Sequence, residues 1–182
     1  GKSHPPAFAH VALTPDGSVQ VVTGTQDIGT GTRTVLAAVA ADALGIDVER
    51  ITVALGDTAH GLHAPVSAGS STVPTMAPAV HAAAVEAHDA LLDAAAEHLG
   101  VGVADVKWNG TTFHHPDGTA AELVDVLAAI EPRRIIGFGR AEDASADVSV
   151  RTFGAVCAEV VVDVDTGEIT VVRVVLRPTA DA

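Results

Sequence analysis

Glycines and hydroxyls gather in two short stretches with the chemistry to hold an anion. The first, Thr23-Gly24-Thr25-Gln26-Asp27-Ile28-Gly29-Thr30-Gly31-Thr32-Arg33-Thr34, packs three glycines and five threonines between a strand-like run and an Ala/Val/Leu helix-like run. Glycine lets a backbone approach a ligand closely, and threonine hydroxyls add to the unpaired amides of a helix's first turn. The second, Ser67-Ala68-Gly69-Ser70-Ser71-Thr72, stands at the entrance to another Ala-rich helix. A strand–glycine loop–helix junction binds anions through its amides and needs no lysine. Glycines that merely fit a strand-to-helix turn account for the first pattern equally well.

Other chemistry-bearing residues are weaker. His60-Gly61-Leu62-His63 and His114-His115 are spaced pairs without cysteine partners or a nearby ordered carboxylate, so they read as surface-loop histidines rather than metal ligands. Ser70 and Ser71 are in no Gly-x-Ser-x-Gly elbow. Glu142 and Asp143 lie in a polar stretch and read as solvated loop. Gly137-Phe138-Gly139-Arg140 is a lone Gly-x-Gly and reads as a strand end. Asp27 has two readings, orienting the amides of the first loop or simply preceding a helix. Cys157, the single cysteine, sits in a Val/Ala run and reads as a buried core residue.

The elements that must position these loops follow from periodicity. Phe8–Leu13 and Val19–Val22 alternate around Pro15-Asp16-Gly17 as a hairpin. A helix is predicted over Thr32–Leu44, with Val35, Leu36, Val39, Ala43 and Leu44 on its apolar face and Gly45 as its stop. Ile51, Val53 and Leu55 alternate as a strand. Thr75 is a candidate cap for a long helix ending near Leu99, with Pro78 in its first turn. Short strands are predicted near Val106–Trp108 and Thr111–Phe113, a helix over Ala120–Ile130 and a strand over Arg134–Phe138. Val156–Val164 and Glu168–Val175 form a second hairpin, apolar on successive residues, so both faces should be covered. The fold class is α+β, a mixed β-sheet with packed helices.

Composition limits the function. A chain of 182 residues, 48% hydrophobic and 18% charged, suits a single domain over 1–182 with a real core. No apolar run approaches a membrane span, and the N-terminus lacks a signal pattern, so a cytoplasmic location is expected. A net charge of −13 repels nucleic acid. With 10 basic residues against 23 acidic ones, an anionic ligand must be held by amides and hydroxyls.

The order Gly29-Thr30-Gly31-Thr32, then Leu55-Gly56-Asp57-Thr58, then Ala68-Gly69-Ser70-Ser71 resembles the molybdopterin-binding large subunit of the molybdenum hydroxylases, the xanthine dehydrogenase and aldehyde oxidase family. Phe153-Gly154-Ala155, Glu159-Val160, Val162-Asp163 and Thr166-Gly167 extend the likeness. It covers nearly the whole chain and is weak between about 100 and 150. The resemblance implies a molybdenum–molybdopterin cofactor, in some members the cytosine dinucleotide form, held by Gly29, Thr30, Gly31 and Thr32 and by Ser67, Ala68, Gly69, Ser70 and Ser71. Molybdenum is then ligated by the pterin and not by side chains. The implied reaction inserts oxygen from water into a C–H bond of an aldehyde or N-heterocycle, with electrons leaving through [2Fe-2S] clusters to FAD on partner subunits.

Departures qualify that expectation. Many family members carry glutamine at the position of Thr30, where it contacts the cofactor; threonine is shorter, and Gln26 is a candidate substitute. The family's catalytic glutamate lies in a Gly-x-Gly-Glu-like segment not found here, so no catalytic residue is assigned. The chain resembles the second cofactor-binding segment of a larger subunit, a fragment expected to be inactive without the remainder of that subunit and its iron–sulfur and flavin partners. A non-enzymatic pterin carrier and a structural remnant are the alternatives.

Overall fold

The computed structural model describes residues 6–130, 134–141 and 153–179. They fall in two compact units, Gly1–Ala144 and Ser145–Ala182. The first unit is built on a four-stranded sheet. Its strands are β1 (Ala7–Leu13), β2 (Val19–Thr23), β3 (Ile51–Leu55) and β7 (Ile135–Ala141), in the order β3-β2-β1-β7. β1 runs antiparallel to both neighbours and β2 parallel to β3. The parallel pair needs a crossover, supplied by helix α1 (Thr32–Leu44). β4 (Lys107–Trp108), β5 (Thr112–His114) and β6 (Ala120–Glu122) form a small antiparallel sheet, followed by α3 (Leu123–Ala129). The mixed sheet with packed helices is the predicted α+β class.

Alternation decides which face of the sheet is covered. Ala7, Ala9, Val11 and Leu13 of β1 and Val19 and Val21 of β2 are buried in one core with Leu36, Leu44, Met76, Val80 and Leu91 of helices α1 and α2 (Thr72–Leu99). The residues where α2 crosses β1 and β7 are small. Ala9 pairs with Gly139 and Val11 with Gly137, and Ala79, Ala83 and Ala87 of α2, all fully buried, lie over them. A Cβ on Gly137 would collide with the Ala83 carbonyl, and one on Gly139 with the Ala79 carbonyl. Gly137-Phe138-Gly139 is therefore the middle of a strand rather than its end, and its glycines admit a helix backbone. Glu86 of α2 accepts a 2.9 Å hydrogen bond from the Phe138 amide on β7, satisfying a donor on an edge strand.

Several local expectations shift. α2 starts at Thr72 with Ser71 as N-cap, so Thr75 is no cap and Pro78 lies inside the helix; Pro74 takes the first-turn place. α1 buries Thr32, Leu36, Ala37, Ala40, Ala41 and Leu44, while Val35 is exposed. The core face thus runs through Leu36, Ala37, Ala40, Ala41 and Leu44, with Val39 and Ala43 partly buried against the core and Val35 left outside it. Ala120–Glu122 is a strand preceding α3 rather than the start of a helix.

The second unit is a two-stranded hairpin, β8 (Phe153–Val162) with β9 (Ile169–Thr179), its register slipping by one residue between Glu159 and Val160. Val156, Val161, Val171, Val172, Val174 and Leu176 are all more than half exposed. The expected cover on both faces is absent within this unit, because a two-stranded ribbon has no second layer. Cys157 is likewise exposed, not buried. Glu142 and Asp143 lie outside the described residues.

Candidate functional site

The two glycine-rich loops, far apart in sequence, meet. α1 begins at an N-cap Gly31 in the left-handed region (φ 77°, ψ 16°), and α2 begins just after Gly69 and Ser70, both at positive φ (59° and 58°). Ser70 is the only non-glycine at positive φ among the described residues, a conformation costing of order 1–3 kcal/mol. Neither helix has a side-chain N-cap hydrogen bond. The amides of their first turns are therefore left for water or a ligand. A left-handed residue followed by a right-handed one, as at Gly31-Thr32, points successive N–H groups into one concavity.

Between the loops lies a crevice of about 310 Å³. Ile28 and Thr30 line it from the first loop; Ser67, Ala68, Gly69 and Ser70 line it from the second, with Thr72, Val73 and Pro74 from the start of α2. None of the lining residues is charged. An added Cβ on Gly29, Gly31 or Gly69 would meet nothing within 4 Å. Glycine is needed at these three positions for φ, and open space lies beside each.

Side chains lock this geometry. The Asp27 carboxylate accepts from the Gly29 amide at 3.0 Å and faces Arg33 at 3.8 Å, which decides its role: it orders the first loop. Arg33 also donates to the Val53 carbonyl. The Thr30 and Thr32 hydroxyls are 3.2 Å apart, and Thr32 is completely buried. Gln26 accepts from the Ser67 amide at 3.0 Å, while the Ser67 hydroxyl reaches the Gln26 carbonyl and the Thr25 hydroxyl, each at 3.4 Å. Ser71 donates its hydroxyl to the Ala68 carbonyl at 2.6 Å. The donors of Ser67 and Ser71 are thus partly occupied within the protein, and Gln26 faces the second loop. Ile28, Val73 and Pro74 escaped sequence reasoning because apolar residues beside a polar loop carry no local signal.

The remaining candidates lie elsewhere. His10 of β1 meets His60 edge-on at 6.2 Å and Phe138 at 6.0 Å; burial, then His60, lowers its pKa. His63 contacts the Pro6 carbonyl, His114 contacts Asn109, and His115 pairs with Asp117 at 2.8 Å. Among the described residues, no group of three or more His, Cys, Asp or Glu is placed to hold a metal. Among them, too, no helix is long and apolar enough to cross a membrane.

A family model described as the molybdopterin cofactor-binding domain matches residues 1–177. The chain belongs to this family. Over 62 residues it is 50% identical to the aldehyde oxidoreductase molybdenum-binding subunit PaoC of Escherichia coli O157:H7, covering 34% of this chain and 8% of the relative. Over 142 residues it is 30% identical to a nicotinate dehydrogenase subunit of Pseudomonas putida, covering 70% of this chain and 12% of the relative. The chain therefore spans about a tenth of the length of these relatives. The same fold occurs in CO dehydrogenase from Oligotropha carboxidovorans (TM-score 0.75, 23% identity, 94% of this chain and 22% of that one). Quinoline 2-oxidoreductase from Pseudomonas putida 86 shares it as well (TM-score 0.73, 20% identity, 97% and 23%). This molybdopterin cofactor-binding domain thus has the fold of molybdenum hydroxylases and carries its two glycine loops at one crevice.

Proposed function

We propose that the crevice is one wall of the molybdopterin site, with Gly29, Thr30, Gly31 and Thr32 on one side and Ser67, Ala68, Gly69, Ser70 and Ser71 on the other. The observation that carries this reading is the convergence of two uncapped helix N-termini on one uncharged crevice. It fits an anionic group in a chain of net charge −13, because first-turn amides bind phosphate without a cation. At about 310 Å³ the crevice is at the small end for ligand sites, so further walls must enclose so large a cofactor. When bound, the molybdenum group supplies a two-electron oxidation with water as oxygen source. The residues here would bind and orient it: the amides of Thr32, Arg33, Thr72 and Val73 would meet anionic oxygens, and Ile28, Val73 and Pro74 would exclude water. Where the family resemblance implies glutamine in many members, the amide and hydroxyl of Thr30 would make a shorter-range contact.

The domain then serves a larger aldehyde- or N-heterocycle-oxidising enzyme. Relatives named as an aldehyde oxidoreductase and a nicotinate dehydrogenase support that substrate class. Two helix N-termini at one crevice suit a phosphate or pyrophosphate group, as carried by the pterin or its cytosine dinucleotide form. The remainder of the molybdopterin-binding subunit and its catalytic base, with [2Fe-2S] and FAD on partner subunits, complete the enzyme. The single cysteine of this chain cannot hold a cluster by itself, since a cluster needs several. An exposed free thiol at Cys157 suits a reducing cytoplasm.

Co-expression with the neighbouring reading frames, followed by molybdenum and pterin analysis and dye-coupled aldehyde oxidation, tests the reading. Loaded wild-type protein and depleted Gly31→Ala and Gly69→Ala variants are expected. Full loading of both variants overturns it. Aldehyde turnover by the chain alone overturns the division of labour and points to a base within it, such as Glu142 or Glu159.

A further inference from the structure

We infer that Gln26 is a positioning residue that holds the two cofactor loops in register, an inference that rests on the reading above. Its carboxamide Oε1 accepts from the Ser67 amide at 3.0 Å, while Nε2 makes only a marginal 3.4 Å contact with the Gly24 carbonyl. The first of these joins the loops across 41 residues of sequence and is the shortest bond of the seam. The neighbouring Ser67 hydroxyl contacts are both 3.4 Å, near the limit at which a hydrogen bond retains strength.

The surroundings explain why the seam needs a side chain at that point. Lower down, backbones touch directly: a Cβ on Gly24 would collide with the Leu62 carbonyl and lie 3.2 Å from the Ala64 amide. On the far side of the first loop, a Cβ on Gly56 would come within 3.2 Å of the Thr25 carbonyl. At Gln26 and Ser67 the loops are joined through side chains, the Gln26 carboxamide to the Ser67 amide and, more weakly, the Ser67 hydroxyl to the Gln26 carbonyl. Asparagine is one methylene too short for that span. A glutamate would make the same bond while adding a negative charge beside a site for an anion. Glutamine supplies the acceptor without the charge.

Gln26 is exposed, so its replacement leaves the core intact and acts on the loops. The test uses the co-expressed assembly with Gln26→Leu, which keeps bulk and removes the acceptor, and Gln26→Glu, which keeps the acceptor. Amide hydrogen exchange at Ser67 reads the seam, and the rate of molybdenum loss on dialysis reads the cofactor. Loss of one net hydrogen bond predicts about fivefold faster exchange at Ser67 and about fivefold faster molybdenum loss in Gln26→Leu. Core amides of α1 and α2 should be unchanged, and Gln26→Glu should restore Ser67 protection. Unaltered Ser67 exchange, molybdenum loss at the wild-type rate, or loosening of the whole core in Gln26→Leu each overturns the proposal. Wild-type protein without molybdenum instead overturns the cofactor reading, and Ser67 exchange still decides whether Gln26 joins the loops.

Discussion

Replacing Gly139 by alanine inserts one methyl between a strand and a helix that touch through their backbones. The new Cβ would overlap the Ala79 carbonyl and stand 2.5 Å from the Ala83 amide, where real Cβ contacts begin near 3.0 Å. α2 must therefore retreat by about 0.5 Å at Ala83, and further at Ala79, with no flexible side chain to yield instead. Overpacking a close-packed interior costs about 1–3 kcal/mol, and the backbone-on-backbone contact places Gly139→Ala near the upper end of that range. The lower entropy of the unfolded alanine variant returns about 0.4–1 kcal/mol. A net loss of about 2 kcal/mol follows. Urea unfolding monitored by the single tryptophan, Trp108, which stacks on Phe113 at 4.3 Å, measures it. The consequence reaches the crevice, because Ala79 lies only about two turns from the start of α2. A retreating helix carries Ser70 and Ser71 away from Gly31, so cofactor retention in the assembly should fall with stability. A Gly139→Ala protein within about 0.5 kcal/mol of wild type, the range of an ordinary surface substitution, would refute the direct-contact argument.

Gly31→Ala should cost less, about 1–2 kcal/mol, because the left-handed conformation opposes it while no neighbour lies within 4 Å of the added methyl; comparing its urea midpoint with that of Gly139→Ala checks the order. Asp16 accepts hydrogen bonds from Thr14, then from the backbone and side chain of Ser18, which hold its carboxyl down at about 2 against an ordinary 3.8. A depressed folded-state pKa means that this contribution is complete above 3.8 and lost as pH falls toward 2. Asp16→Asn should flatten the acid limb of the thermal midpoint in that window. Trp108→Phe removes the 2.8 Å bond from Nε1 to the Leu44 carbonyl and should lower stability by about 1 kcal/mol in calorimetry. Cys157 should react stoichiometrically with a thiol reagent in the isolated chain, and a slow reaction there would contradict its exposure.

The main elements were legible in the sequence because each carries its own period and punctuation. The first hairpin turns at Gly17 and the second at Gly167, at φ 77° and 75°, and Gly45 and Gly100 end the two long helices in the left-handed region. These are local demands on φ, and glycine announces them. The two loops were legible for the same reason. What tertiary structure alone decided depends on neighbours far along the chain. Gly137 and Gly139 have no local need for glycine; a helix far earlier in the chain requires it. Val35 is left outside the core face of α1 while Ala37 and Ala41 lie on it, which hydrophobicity alone does not decide. Asp27 looks the same in sequence whether it precedes a helix or orders a loop, until the Gly29 amide is seen on its carboxylate. The meeting of the two loops, and the Gln26 bond that joins them, exist only once the fold has brought the end of β2 and the start of α2 together. Sequence chose the local conformations; the fold chose which of them face one another.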